Sequence, residues 1–350
     1  MEIVPWRSLV KVLVTGGAGF IGSNFIRLLM NTRDEAQVIN FDKLTYAGNP
    51  ESLADVAENK RYSFVQGDIA DAQAVEEVFR QRPDALINCA AETHVDRSIE
   101  DASPFLRTNI LGTHCLLEAA RRYKLLRFIH ISTDEVYGSA PAGVSFTEEA
   151  RLGPRSPYAA SKAAADHLVS AYANTYGVSP VILRCSNNYG PYQFPEKLIP
   201  LMIANAQEDK PLPVYGDGMH ERDWLFVDDC CHAILLALEQ APAGAVYNVS
   251  VGMPLPNLKI VRTILARLGK PDTLINYVQD RPGHDRRYAL DSSKIQRELG
   301  WKPQVSLEEG LSRTIGWYRA NSAWLENLRS GEYRHYYHRH YVNRSKTFDV

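Results

Sequence analysis

The stretch Val14-Thr15-Gly16-Gly17-Ala18-Gly19-Phe20-Ile21-Gly22 joins a short apolar run to an amphipathic one through four glycines. Few folds accommodate such a junction. Gly17, Gly19 and Gly22 fit the spacing GxGxxG, and Gly16, Gly19 and Gly22 fit GxxGxxG. Glycine permits a tight turn and lets the backbone approach a pyrophosphate, which the free N–H groups of the following helix then hold. The spacing alone is weak evidence, but Asp42 stands at the end of the next apolar run, where a ribose-binding acid belongs. A carboxylate there accepts the ribose 2'-hydroxyl and repels a 2'-phosphate, which favours NAD over NADP.

The first half of the chain repeats this unit. Strands are predicted at Lys11–Thr15, Gln37–Asp42, Tyr62–Gln66, Ala85–Cys89, Phe128–Ser132 and Pro180–Cys185. Helices are predicted between them at Ile21–Asn31, Ala72–Arg80, Asn109–Tyr123 and Pro157–Tyr176. Strand and helix in alternation imply an α/β, Rossmann-type doubly wound parallel sheet that binds ligands beyond the carboxyl ends of its strands. After Cys185 the chain turns rich in Pro, Gly, Asn and Tyr, as in loops that wrap a ligand. Strands at Trp224–Val227 and Ala245–Val249, a helix at Cys230–Leu238 between them, and helices at Leu258–Leu268 and Leu307–Tyr318 complete the pattern. We expect a dinucleotide domain over 1–186, with 223–250 returning to it. A smaller α/β substrate lobe should comprise 187–222 and 251–325, followed by a tail over 326–350.

Composition excludes several classes. With 39 basic against 41 acidic residues, the net charge of −2 offers no general attraction to nucleic acid or an anionic membrane. No apolar run reaches the length of a membrane span, and the first residues carry charges and a proline where a secretion signal needs a clean apolar stretch. The five cysteines (Cys89, Cys115, Cys185, Cys230 and Cys231) have no CxxC spacing and read as reduced thiols of a cytoplasmic protein. His94 and His130 have no partner at metal spacing, and no metal is expected. The histidines of the tail, in Tyr333–Tyr341, read as an exposed amphipathic segment.

Two segments carry the chemistry. Thr133, Asp134 and Glu135 follow the fifth predicted strand, so an adjacent acid pair falls on the ligand side of the sheet. Two close carboxyls push their pKa values apart, leaving one ionised and one protonated, as an acid and a base require. Downstream, Tyr158 and Lys162 lie one helical turn apart, and an ammonium near a phenol favours the phenolate. Among 18 tyrosines this is the one with lysine four residues on. The spacing is cheap alone and informative beside the glycine loop, Asp42 and Thr133.

With these motifs in place, the chain resembles the extended short-chain dehydrogenase/reductases and, within them, the dTDP-glucose 4,6-dehydratases. The resemblance runs through VTGGAGFIGSNFI, DKLTYAGN, FVQGDI, AAETHVDRSI, STDEVYG, SPYAASKAAAD, NNYGPYQFPEKLIP, RDWLFVDD and DRPGHDRRYALD. It implies dehydration of dTDP-glucose to its 4-keto-6-deoxy product with NAD as cofactor. Tyr158, assisted by Thr133 and Lys162, would take the C4 hydroxyl proton; Glu135 would take the C5 proton and Asp134 would protonate the C6 oxygen. The implied cofactor set is Gly16, Gly19, Phe20, Ile21, Gly22, Asp42, Lys43, Thr45, Asp68, Ile69, Ala90, Ala91, Thr93, Tyr158 and Lys162. The implied substrate contacts are His94, Thr133, Asn187, Glu196, Lys197, Leu198, Pro213, Tyr215, Arg222, Asn257, Arg281 and His284. Similar proteins form homodimers by pairing the helices at 109–123 and 157–176 into a four-helix bundle.

Other readings stay open at this level. A 4-epimerase needs Tyr158 and Lys162 but no acid pair, and a UDP- or CDP-sugar would serve the same mechanism. A catalytically silent NAD-binding protein is compatible with the fold. The segments around Met219–Glu221 and Met253–Pro256 depart from the family pattern and bear on sugar and base identity.

Overall fold

A computed structural model describes residues 10–328 and Tyr337. Its centre is a seven-stranded sheet, all parallel, in the order β11-β6-β5-β4-β1-β2-β3. In chain order these are β1 (Lys11–Thr15), β2 (Gln37–Asp42), β3 (Tyr62–Gln66), β4 (Ala85–Asn88), β5 (Arg127–Thr133), β6 (Pro180–Cys185) and, after four strands outside the sheet, β11 (Val246–Val249). The strand order reverses between β1 and β4, which opens the crevice where such folds bind ligands.

Strands buried on both faces read as continuous apolar runs, and their alternate residues serve separate cores. Val12 and Val14 pack with α1 (Phe20–Thr32) and α8 (Val227–Gln240) on one face. Leu13 faces the other core with α2 (Ala72–Phe79), α5 (Thr113–Tyr123) and α6 (Pro157–Tyr176). At roughly 25 cal/mol per Å² of apolar surface, burial on both faces is the main term holding the sheet.

Two helical features differ from expectation. Short α3 (Val95–Glu100) lies in the stretch read as loop, and α4 (Ser103–Phe105) starts the next helical run. A wide π-helical segment, Leu106–Gly112, joins α4 to α5, so this helix begins before Asn109. The expanded turn has a use: Asn109 accepts from the Glu92 amide (2.9 Å) and donates to Ser161 Oγ (2.8 Å). It thereby ties the loop after β4 to α6.

The smaller lobe has its own core, in which α7 (Leu198–Gln207), α9 (Asn257–Leu268) and α11 (Leu307–Ala320) pack around β8 (Leu212–Tyr215). Its strands pair two by two: β7 (Asn187–Tyr189) with β10 (Trp224–Phe226), β9 (Glu221–Arg222) with β12 (Leu255–Pro256), and β8 with β13 (Ile275–Val278). So Trp224–Phe226 does not join the main sheet, whereas Val246–Val249 does. Helices α10 (Ser293–Leu299) and α12 (Ser322–Leu328) finish the described chain. The expected amphipathic tail and the first nine residues lie outside it, apart from Tyr337, whose hydroxyl accepts from Asn205 (2.8 Å).

Candidate active site

The glycine loop turns directly from β1 into α1. Gly16 has φ of +67°, and a Cβ there would stand 2.6 Å from the Ala90 nitrogen. A Cβ on Gly22 would stand 2.3 Å from the Gly16 oxygen, so both positions require glycine. Gly19 caps α1 without any side-chain hydrogen bond, leaving first-turn amides for an anion. Asp42 ends β2 with its carboxylate fixed: Oδ2 accepts from the Ala18 amide (2.9 Å) and Oδ1 from Leu44 (2.8 Å). Lys43 pairs with Asp68 (3.0 Å) at the outer end of the same cleft. The cleft is lined by Gly16, Gly19, Phe20, Ile21, Gly22, Asp42, Lys43, Thr45, Asp68, Ile69, Ala90, Ala91 and Thr93. These residues fit a dinucleotide: a cradle without side chains for the pyrophosphate and a fixed acid for the ribose.

The same cleft continues to Thr133, Asp134, Glu135 and Tyr158. Thr133 ends β5 and caps a short 3₁₀ turn, Asp134–Tyr137, by accepting from the Glu135 amide (3.3 Å). That turn puts the acid pair at the carboxyl edge of the sheet. Helix α6 starts cleanly, with Ser156 as its cap accepting from Ala159 and Pro157 in its first turn, and it stops at Gly177 in the left-handed region. Tyr158 and Lys162 therefore project from its first turns toward β5, and the Lys162 Nζ donates to the Ile131 carbonyl (2.7 Å).

Burial dominates the electrostatics. It pushes the Asp134 carboxyl well above the usual range, and the neighbouring Glu135 charge adds to the shift. Asp134 is 3% exposed, and its Oδ2 has no hydrogen-bond partner. Burial also raises Glu135, but Arg281, Arg222 and Lys197 pull it back toward the ionised form. Asp134 is thus the better proton holder and Glu135 the better carboxylate, a division the sequence left undecided.

Tyr158 differs from expectation. Burial and then the Glu135 charge raise its pKa, while a hydrogen bond with Thr133 lowers it. Lys162 is not among the largest influences on it, and burial brings Lys162 itself down to about 8. The anticipated activation of the phenol by the ammonium is therefore outweighed by its acidic, water-poor surroundings.

A buried ammonium costs stability. With Lys162 at about 8 when folded and near 10.4 when unfolded, the unfolded chain binds the extra proton between those values, so stability rises with pH across that window. Lys162→Met is expected to raise the midpoint of thermal unfolding at pH 7, with the gain shrinking to nothing above about pH 10.4. A gain that is the same at every pH would overturn this account.

Asn187, Glu196 and Lys197 line the inner cleft beside the acid pair. Lys197 donates to the Thr93 carbonyl (2.8 Å), and Leu198 begins α7. His94, at the cap of α3, is buried and kept neutral by burial and the Lys197 charge. Tyr215 donates to Asp96 (2.7 Å), and Pro213 lies on the same strand. Arg222 donates to the Asp285 carbonyl (2.9 Å), sits 4.1 Å from the Tyr288 ring centre and bonds His284 Nε2 (2.9 Å). Asn257 opens α9, and Arg281 is influenced by both Asp96 and Glu135.

Several residues in this shell were not singled out from the sequence. Tyr288 donates to Asp285 (2.9 Å) and approaches Glu135 (3.3 Å). Arg97 and Tyr46 flank Glu196, at 3.4 and 3.1 Å. Asp96, Arg97, Asp285 and Tyr288 lie inside the motifs VDRSI and DRPGHDRRYALD, which was the available signal. His220 and Asp280 join His284 in a cluster that no sequence spacing announced. All five cysteines are free, and the adjacent Cys230 and Cys231 are buried in α8.

Residues 13–314 match the GDP-mannose 4,6 dehydratase family. The dTDP-glucose 4,6-dehydratase of Neisseria meningitidis is 53% identical over 347 residues, covering 93% of this chain and 97% of that protein. A crystal structure of the Streptomyces venezuelae enzyme of that name, with NAD bound, superposes with a TM-score of 0.88 at 49% identity, covering 91% of this chain and 99% of its own. The UDP-glucose 4-epimerase of Thermus thermophilus, also solved with NAD, is more distant: TM-score 0.83 and 33% identity, over 89% of this chain and 99% of that one. The epimerase likeness follows from the common fold, whereas the dehydratase likeness extends to near-half identity over almost the full length. From its sheet, its acid pair and these relatives together, the chain belongs to the dTDP-glucose 4,6-dehydratases, NAD-dependent hydro-lyases within the extended short-chain dehydrogenase/reductases.

Proposed function

We propose that this protein removes water from dTDP-glucose to give dTDP-4-keto-6-deoxyglucose, by the roles that follow. The observation that carries the reading is the unequal acid pair beside Tyr158: burial and the Glu135 charge favour the protonated Asp134, while Arg281, Arg222 and Lys197 favour the carboxylate of Glu135. Bound NAD supplies a hydride acceptor for C4 and returns the hydride at C6. Tyr158 takes the C4 hydroxyl proton, with Thr133 hydrogen-bonded to it and Lys162 beneath. The C4 ketone acidifies C5, and Glu135 takes that proton. Asp134 protonates the C6 oxygen, which leaves as water, and Glu135 gives its proton back to C5 as hydride is added at C6.

The two lobes divide the ligands. Residues 10–186, with the chain returning over 227–250, hold the cofactor through Gly16, Gly19, Phe20, Ile21, Gly22, Asp42, Lys43, Thr45, Asp68, Ile69, Ala90, Ala91 and Thr93. Residues 187–222 and 251–325 hold the nucleotide sugar. Arg222, Arg281 and Lys197 meet the phosphates and the adjoining sugar, and arginine suits bidentate phosphate contacts. Asn187, Glu196, Leu198 and His94 border the sugar, and Pro213, Tyr215 and Asn257 the base. His284 acts from behind, since Asp280 and Arg222 already engage both its nitrogens.

The purified protein with dTDP-glucose and NAD should yield the alkali-induced absorbance of the 4-keto product, and UDP-glucose should give much less. Equal turnover of both would keep the mechanism and overturn the base preference. No product from either, with NAD still bound, would overturn the reading.

The chain works as a homodimer through α5 and α6. Leu111 is 55% exposed and Tyr176 51% exposed along this face, a large apolar cost for a lone monomer. Leu111→Asp should convert the dimer to a monomer in sedimentation; an unchanged mass would reject this interface. The enzyme acts in the cytoplasm, in keeping with its free thiols, and its appearance in a secreted fraction would contradict that. No helix among the described residues is long and apolar enough to cross a membrane.

A further inference from the structure

Outside the cleft, His220, Asp280 and His284 bring three potential ligand atoms within 4.8 Å of one another. His220 Nε2 lies 3.1 Å from Asp280 Oδ2, and His284 Nδ1 lies 2.6 Å from Asp280 Oδ1. The two imidazoles stack with centres 3.8 Å apart and planes 15° apart, so both offer a nitrogen to the same carboxylate. Each histidine side chain is 5% exposed and Asp280 is 35% exposed, so the nitrogens are shielded while the carboxylate opens to solvent. The other nitrogen of His220, Nδ1, is buried with no hydrogen-bond partner.

We propose that His220, Asp280 and His284 form a binding site for a zinc-like divalent cation, and that filling it weakens nucleotide binding by displacing Arg222. Two imidazoles and one carboxylate are a borderline-soft donor set suited to zinc, with water as the fourth ligand. Tetrahedral zinc with bonds of about 2.0–2.1 Å places its donors about 3.4 Å apart. The two separations here, 3.1 and 2.6 Å, are shorter, so the carboxylate must draw back and the stacked rings must turn toward the ion to admit it. Nearby arginines are partly offset, Arg286 by Asp217 (2.8 Å) and Arg287 by Glu221 (3.0 Å).

The coupling follows from one proton. In the present arrangement His284 donates from Nδ1 to Asp280, and Nε2 accepts from Arg222 (2.9 Å). A cation on Nδ1 sends that proton to Nε2. Two donors then face each other, and the Arg222 guanidinium must move. Arg222 is a phosphate ligand in the function proposed above, so this half of the inference rests on that reading. Linkage makes the effect mutual, and nucleotide must weaken zinc by the same factor.

The tail histidines His335, His338 and His340 also bind metals in principle, so the test uses full-length protein with these three changed to asparagine. Metal-free protein is titrated with Co2+, followed by its visible bands, and with Zn2+ by calorimetry. One ion per chain is expected, with affinity at least tenfold lower in His220→Ala. Asp280→Asn, which keeps the side-chain shape, should lose affinity likewise. Zinc should weaken dTDP binding several-fold in the parent and leave it unchanged in His220→Ala. Zinc binding that survives both substitutions, or no binding at all, overturns the site. His220-dependent zinc binding with unaltered dTDP affinity overturns the coupling. Failure of dTDP to bind the metal-free protein would instead count against the proposed function.

Discussion

Tyr158→Phe is expected to lower turnover of dTDP-glucose by about 10²–10⁴-fold, the usual contribution of a positioned proton-transfer group, while changing NAD affinity little. The phenol ring packs edge-on to Phe105 (6.3 Å between centres), and phenylalanine preserves that contact. The backbone amide of Tyr158 keeps its bond to Ser98 Oγ (3.2 Å), so the start of α6 is undisturbed. The missing hydroxyl removes the acceptor for the C4 proton, and the first step stalls. The absorbance of reduced cofactor should therefore not appear even in a single turnover. Turnover within tenfold of the parent would show that another group takes this proton.

Substitution of the acid pair should separate the later steps. Asp134→Asn and Glu135→Gln are each expected to lower product formation by about 10²–10⁴-fold. Both should accumulate enzyme-held reduced cofactor, because Tyr158 still acts at C4. Solvent deuterium distinguishes them. Asp134→Asn retains the base and should exchange the C5 hydrogen of the bound intermediate, whereas Glu135→Gln should not. Exchange in Glu135→Gln but not in Asp134→Asn would reverse the assignment. Asn at 134 also preserves the acceptor that faces Thr133 Oγ1 at 3.2 Å, so a large loss reflects the proton and not the shape.

How far the sequence carried this reading depends on the kind of signal. The parallel sheet was legible because β1, β4 and β6 carry short apolar runs and the intervening helices keep their period. The cofactor loop was legible because only glycine tolerates the positions of Gly16 and Gly22. Helix α6 was legible from its apolar spacing over 157–176, and Ser156-Pro157 and Gly177 fix its two ends in the structure. The π-helical turn at Leu106–Gly112 was not visible, since one extra residue in a helix leaves no mark on composition. The division of the acid pair was hidden for another reason: it depends on burial and, for Glu135, on cations more than 60 residues along the chain, Lys197, Arg222 and Arg281. The His220–Asp280–His284 cluster likewise exists only after β9 and the loop beyond β13 are brought together.

Tyr158 sits among two carboxyls with little water, and this crowding keeps it a phenol in the protein alone. Making it a base requires positive charge close by, and the Lys162 ammonium, with its pKa brought down to about 8, still carries that charge at pH 7. An oxidised nicotinamide ring in the cleft would add a second positive charge beside the phenol and would lose it on reduction. Tyr158 would then be a stronger base before the first step than after it, and the order in which cofactor and sugar enter the cleft would set how readily the first proton leaves.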